Sequence, residues 1–303
     1  MGESETIPKA TPLASRWRLY LSLLRPRQWT KNGFVLAGVV FSGLFVDPQA
    51  VRTAITAFFI FCLVSSAGYV YNDILDKDED ALHPVKCHRP VASGKVSVGE
   101  ARALAAVLIV VALVSGFVLD ISFGFVTLLY FLSTVTYSLW LKHVVLIDLL
   151  ILAAGFVLRA AAGAVAVGVM ISPWLLICTT LLSLFLGLGK RRHELLLLEG
   201  EAAEHRATLD DYSPELLNQL LSTVTAATLV SYSIYTFTSG HGLAMMLTIP
   251  FVLFGLFRYL YLIYCRDLGG SPEEILLTDR QLLATVVLWG VAVLFVMATK
   301  EWF

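Results

Sequence analysis

Four oxygen-bearing side chains open the case. The run Asn72-Asp73-Ile74-Leu75-Asp76-Lys77-Asp78-Glu79-Asp80 follows a long apolar stretch. If that helix continues, Asn72, Asp76 and Asp80 recur at i, i+4 and i+8, and Asp73 falls three residues before Asp76, so all four can face one cavity. Like-charged oxygens on one stripe repel unless a cation sits between them. Hard divalent ions such as Mg²⁺ take carboxylate oxygens and bridge to substrate phosphates. A merely solvated acidic helix end is the plainer reading, but carboxylates at a helix C-terminus oppose its macrodipole. Asp73, Asp76 and Asp80 are therefore the expected metal ligands, and Asn72, Asp73 and Asp76 the expected catalytic residues.

The next segment is basic and stiff. His83-Pro84-Val85-Lys86-Cys87-His88-Arg89-Pro90 is followed by Ser93-Gly94-Lys95. Two prolines and a glycine hold Lys86 and Arg89 beside the carboxylates. Lysine and arginine bind phosphates, arginine through its bidentate fork. No i, i+4 histidine pair exists, so the histidines are not expected to ligate metal. The four cysteines are far apart, with no CxxC pair, which argues against a zinc or disulfide framework.

These residues need a scaffold, and composition names its class. Of 303 residues, 57% are hydrophobic and 15% charged, against about 25% charged in soluble domains. Mean hydropathy is +0.77. A soluble fold of this size cannot hide so much apolar surface. Long apolar runs without dyad alternation point to helices rather than a β-barrel. Nine candidate spans cover roughly 30–46, 51–72, 99–119, 121–140, 144–168, 171–189, 216–237, 242–264 and 281–299. Asp47-Pro48, Ser172-Pro173 and Ser239-Gly240 supply breaks. The expected fold is an all-α integral membrane protein of nine transmembrane helices. Residues 1–24 form a polar N-terminal segment without an apolar signal-peptide core, and 25–303 a single transmembrane catalytic domain.

Charge sets the expected orientation. With the N-terminus in the cytoplasm, only Arg52 and Lys300 among 22 Lys and Arg fall on the far side, and Arg159 falls inside a helix. The positive-inside rule makes the N-terminal side cytosolic, as in a multi-pass inner-membrane protein. The acids and histidines cluster there too, in the loops after the second, fourth, sixth and eighth spans. A carrier needs polar groups along its whole path, and the outer half is nearly bare. An enzyme at the cytosolic interface fits better. No nucleic-acid partner is expected, and a homo-oligomer is compatible with such an architecture.

The pattern NDxxDxxxD over Asn72 to Asp80, followed by HPxKxxRP over His83 to Pro90, resembles the intramembrane prenyltransferase superfamily of ubiquinone- and menaquinone-pathway enzymes. That resemblance implies a nine-helix bundle, with Mg²⁺ and a diphosphate on the first motif. The second motif departs from the superfamily. A second acidic cluster after span six is replaced by Gly189-Lys190-Arg191-Arg192-His193-Glu194. Three cations and one carboxylate suit more anionic charge than one diphosphate carries. With Arg25-Pro26-Arg27-Gln28-Trp29-Thr30-Lys31-Asn32 and the stretch Gly269 to Arg280, this is similar to the decaprenyl-phosphate phosphoribosyltransferase branch. The resemblance implies transfer of 5-phosphoribose from phosphoribosyl diphosphate to a polyprenyl phosphate, for a cell-envelope arabinose donor.

Substrate contacts are then expected from Asn72, Lys86, Arg89, Tyr137, Lys142, Asp148, Arg159, Lys190, Arg191 and Glu194. Arg27, Lys31 and Asn32 are expected to meet the lipid phosphate. Plainer readings stand beside these. Tyr137 can be an interfacial aromatic, Arg159 a polar helix–helix contact, Lys190 to Arg192 a topology signal, and Arg27 to Asn32 part of an amphipathic entry helix. Asp148 and Arg159, eleven residues apart, are expected on nearly one face. Glu199 to Asp211 reads as an interfacial loop. Two rivals remain: a prenyltransferase moving an allylic diphosphate onto an aromatic or glycerol-phosphate acceptor, and a membrane carrier for phosphorylated metabolites.

Overall fold

In the computed structural model, residues 13–170, 172–197, 211–238 and 243–299 are described. The elements run α1 Leu13–Leu24, a 3-10 segment Pro26–Leu36, α2 Ala37–Phe41, α3 Pro48–Leu75, α4 Lys77–Leu82, α5 Val98–Leu119, α6 Ile121–Leu139, α7 Ile147–Ala166, α8 Pro173–Leu197, α9 Pro214–Thr238, α10 Ile249–Cys265, α11 Pro272–Thr278 and α12 Arg280–Ala298. Helix starts follow local chemistry. Asp47 caps α3 with Pro48 at its first position, Ser97 and Glu100 form a capping box on α5, and Asp120 and Asp279 cap α6 and α12. The expected breaks at Asp47-Pro48 and Ser172-Pro173 coincide with helix starts. Ser239-Gly240 and most of the 199–211 loop lie outside the described residues.

Among the described residues, eight helices are long and apolar enough to cross a membrane, one fewer than expected. The difference is the first span. Residues 30–46 form no continuous α-helix but the 3-10 segment, the short α2 and a further 3-10 turn at Leu44–Val46 entered through Gly43 at φ 76. Broken backbone survives at membrane depth only where protein covers it, and here α3 and α7 do so. The cover is tight: a Cβ on Gly163 would stand 1.8 Å from the Val35 carbonyl oxygen, and one on Gly38 2.6 Å from the Ala164 nitrogen. Gly163→Ala is therefore expected to destabilise by at least the ~1–3 kcal/mol of an overpacked site, read as a lowered melting temperature in detergent.

The core is built around α3. Its Ala54, Ala57, Phe61 and Val64 are fully or nearly fully buried against α5, α6, α7 and the 3-10 segment. Small residues allow this approach, as expected for helices packed in lipid. The opposite faces of α5 and α6 expose Val107, Val110, Val114, Val118, Phe125 and Leu129, a surface suited to acyl chains. The second half of the expected polar segment 1–24 is helical, and Leu23 is buried among Val70, Val91 and Ala101.

Contacts show which helix ends gather. Lys142 beyond α6 reaches Asp76 beyond α3, and Arg191 of α8 reaches Asp148 at the start of α7. Gln28 reaches Glu273 of α11, and Arg258 of α10 reaches Asp279 before α12. One end of the bundle thus holds the polar chemistry.

Candidate active site

The acid motif is split by a helix break. α3 ends at Leu75, Asp76 adopts φ −87 and ψ 10, and α4 restarts at Lys77. The expected single stripe becomes two groups. Asp73 and Asp80, both buried, converge on Arg89, whose Nη1 donates to Asp73 Oδ1 at 3.2 Å and to Asp80 Oδ2. Arg25 also donates to Asp73 Oδ1, and Lys86 Nζ lies 4.0 Å from Asp80 Oδ1. Asp76 turns elsewhere. It accepts from Asn72 Nδ2 at 2.6 Å and from Lys142 Nζ at 2.7 Å, while Ser138 Oγ donates to Asn72 Oδ1 at 3.1 Å.

Among the described residues, no group of three or more His, Cys, Asp or Glu is placed to hold a metal ion. The expected trio of Asp73, Asp76 and Asp80 is thus not gathered: Asp73 and Asp80 share Arg89, while the break at Asp76 turns the third carboxylate to Asn72 and Lys142. The pair still fits Mg²⁺. Its donors are hard oxygens, a cationic nitrogen already sits between them, and Mg²⁺ is usually held by one or two carboxylates plus substrate phosphates.

The second motif divides as well. Arg191 donates through Nε and Nη2 to Asp148 Oδ2 at 2.9 and 2.6 Å, and through Nη1 to Glu194 Oε2 at 2.6 Å. Both side chains of the Asp148–Arg191 pair are almost wholly buried, at 0% and 3% exposure. The Tyr212 hydroxyl donates to Asp148 Oδ1 at 3.0 Å and accepts from the Leu146 backbone N–H at 2.8 Å, steadying Leu146 at φ 65. Arg191 and Asp148, expected at the substrate, instead brace α7 against α8. The reason is dielectric: a cation this deep pairs with the nearest carboxylate. Lys190 is half-exposed and lies 3.8 Å from Glu194. Arg192 donates to Asn218 and stacks on Tyr264. Tyr137, at the end of α6, lies close enough to Arg191 for charge to couple them.

The expected lipid-phosphate trio points three ways. A 3-10 helix has three residues per turn, so positions 27, 31 and 32 lie about 120° apart. Arg27 is 89% exposed, with Glu274 at 3.9 Å. Lys31 reaches Glu273 at 3.7 Å. Asn32 is buried, donating to Ser65 Oγ at 3.0 Å and accepting from Arg159 Nε at 2.8 Å. Nor do Asp148 and Arg159 work as a pair. Eleven residues at 1.5 Å each separate them by about 16 Å along α7.

Lys31 and Glu273 join the two motifs. The charge of Lys31 is felt together with those of Arg25 and Arg159, and that of Lys190 with those of Lys31 and Glu273. Burial pushes the Glu273 carboxyl up, but the Lys31 ammonium, a backbone hydrogen bond and Gln28 outweigh it and hold it below the usual carboxylate range. The contact is therefore intact above the ordinary glutamate value of about 4.3 and lost as pH falls through the lower folded value. Amide exchange over 272–278 is expected to accelerate only below about pH 4, and Glu273→Gln should abolish that step.

Arg25, Ser138, Glu273 and Tyr212 escaped the sequence reading as site residues. Arg25 had a signal in the proline that follows it, which disfavours the helical conformation; in the structure it takes φ 50, a strained non-glycine conformation, and bonds Asp73. Tyr212 had none.

A sequence model of the UbiA prenyltransferase family matches residues 33–275. A decaprenyl-phosphate phosphoribosyltransferase of Corynebacterium glutamicum is 33% identical over 280 residues, covering 89% of this chain and 83% of its own. The Mycolicibacterium smegmatis protein of the same name is 33% identical over 311 residues, covering 96% of this chain and 97% of its own. Among solved structures, a UbiA homolog from Archaeoglobus fulgidus bound to GPP and Mg²⁺ superposes with a TM-score of 0.73 at 20% identity, covering 92% of this chain and 99% of that one.

Proposed function

The chain belongs to the UbiA prenyltransferase family of multi-pass membrane enzymes, and from that premise we propose that it is a polyprenyl-phosphate phosphoribosyltransferase. Residues 25–303 act as one catalytic domain. 5-Phosphoribose passes from phosphoribosyl diphosphate to a decaprenyl-type phosphate at the cytosolic face, and diphosphate is released. The observation that carries this reading is the charge arrangement at one end of the bundle. Two buried carboxylates are surrounded by Arg25, Arg89 and Lys86, while Lys31 and Lys190 supply separate cations nearby. A diphosphate together with further phosphate charge matches that set. The 33% identical relatives named for this reaction support it.

Mg²⁺, held by Asp73 and Asp80, would neutralise the diphosphate. Arg25, Arg89 and Lys86 can then exchange carboxylate for diphosphate oxygens as the C1–O bond breaks and its electron pair leaves with the diphosphate. A lipid phosphate oxygen forms the new bond to C1. It is anionic at neutral pH, so no general base is required, and catalysis is mainly positioning and electrostatics. Ser138, Asn72, Asp76 and Lys142 form a hydrogen-bonded chain that fixes the neighbouring wall. The lipid tail can lie along the exposed apolar helix faces.

The test offers two substrate pairs to purified protein with Mg²⁺. One is labelled phosphoribosyl diphosphate plus polyprenyl phosphate; the other is polyprenyl diphosphate plus 4-hydroxybenzoate. Sugar label is expected in the lipid phase. Turnover of the second pair alone would assign the chain to aromatic prenyl transfer instead.

A further inference from the structure

We propose that Arg159 is a phosphomonoester subsite on the membrane side of the acid motif; the assignment rests on the reaction just described. Arg159 is 5% exposed. It lies twelve residues into α7 from its polar end, about 18 Å of helix, near the middle of a hydrocarbon core about 30 Å thick.

Among the described residues, its hydrogen-bond partners are all neutral. Nε donates to Asn32 Oδ1 at 2.8 Å, Nη1 to the Gly155 carbonyl at 2.9 Å and Nη2 to the Tyr130 hydroxyl at 2.7 Å. The rings of Tyr130 and Phe156 lie 4.7 and 5.1 Å from its guanidinium carbon. Among the described residues, no carboxylate comes within ion-pair distance of it. Arg191 shows the contrast: comparably buried, it holds two carboxylates. An ionisable group inside a membrane protein that lacks a counter-ion calls for a functional explanation. A guanidinium has five N–H donors; three have partners among the described residues, and the other two are offered to a ligand.

Contacts link the position to the helix that carries the acids: Asn32, which accepts from Arg159, donates to Ser65 on α3, eight residues before Asp73. Tyr69, one turn below Asp73 on α3, carries Arg25 over its ring at 5.2 Å. It lies within electrostatic reach of Arg159, Arg25 and Glu273. Arg25 and Tyr69 beside Asp73, and Ser65, Asn32 and Arg159 further in, thus form a series of polar groups running inward from the acid motif. An apolar prenyl chain laid against that series could not satisfy its hydrogen-bonding groups. A phosphomonoester satisfies them and neutralises the buried cation. Two such groups take part in the reaction, the 5-phosphate of the sugar and the phosphate of the lipid acceptor.

Binding separates these sources and does not require turnover. The probes are ribose 5-phosphate, ribose and a short-chain prenyl phosphate, titrated calorimetrically into the full protein in detergent. Arg159→Gln removes the charge, and Arg159→Lys keeps it. Asn32→Asp keeps the guanidinium but sets a carboxylate against it, which covers the case in which Arg159→Gln does not fold. Wild type is expected to bind ribose 5-phosphate better than ribose. Arg159→Gln and Asn32→Asp should weaken that binding roughly 10- to 100-fold, the effect of one lost charge-assisted contact, while Arg159→Lys retains most of it. Weakening confined to prenyl phosphate would assign the subsite to the acceptor. Equal binding by wild type, Arg159→Gln and Asn32→Asp, or no binding of either phosphate by wild type, overturns the proposal. If phosphoribosyl diphosphate is not a substrate but ribose 5-phosphate binding depends on Arg159, the reaction assignment fails and the subsite stands.

Discussion

Asp73→Asn is expected to cut the proposed phosphoribosyl transfer by about 10²–10³-fold or more, the scale seen when one preorganised electrostatic partner is removed from a transition state. Asp73 is nearly fully buried and accepts from Arg25 and Arg89 together. The amide is isosteric but neutral. It leaves two guanidinium groups facing one remaining acid, Asp80, and removes half of the paired oxygen set. Asp76→Asn should cost less, because Asp76 is held by Asn72 and Lys142 and does not share the Asp73–Arg89–Asp80 centre. The comparison is kcat and KM for both variants at saturating Mg²⁺, with melting temperatures recorded alongside. A rate within threefold of wild type for Asp73→Asn, in folded protein, would refute its catalytic role.

The second large effect concerns stability rather than rate. Arg191→Ala and Asp148→Ala should each destabilise the protein by about 3–5 kcal/mol, because each leaves its partner as an unpaired buried charge. Replacing both with apolar residues of similar size, Arg191→Met with Asp148→Leu, should recover much of the loss, since no isolated charge remains. Glu194 tempers the recovery, as it too loses Arg191. Thermal unfolding in detergent measures all three. An Arg191→Ala protein with an unchanged melting temperature and a greatly raised KM for phosphoribosyl diphosphate would return Arg191 to the phosphate binders. The brace joins two helices through residues 43 positions apart, which explains why a sequence reading saw only a cation beside a carboxylate.

Local features were legible from the residues alone. Eight of nine spans follow from apolar length, because the bilayer admits little else. Helix starts at Pro48, Val98, Ile121 and Arg280 follow from caps that satisfy the backbone within three residues. The acid run and the neighbouring Lys86 and Arg89 were also visible, since charge beside an apolar span is conspicuous. Two groupings expected from α-helical periodicity are not gathered where the backbone leaves that geometry. The break at Asp76 took that carboxylate away from Asp73 and Asp80, and the 3-10 path of 26–36 sent Arg27, Lys31 and Asn32 to three different surroundings.

Which acid meets which cation was decided only by tertiary structure. Arg191 found Asp148, Arg89 joined Asp73 to Asp80, and Arg159 ended among neutral partners although Asp148 shares its helix. Residue type and spacing act over a few ångströms along one chain, and so they determine spans, caps and the presence of a charged end. Pairing in a low-dielectric interior depends on which helix faces come together, and that is set by small residues such as Gly38 and Gly163 that let distant segments touch.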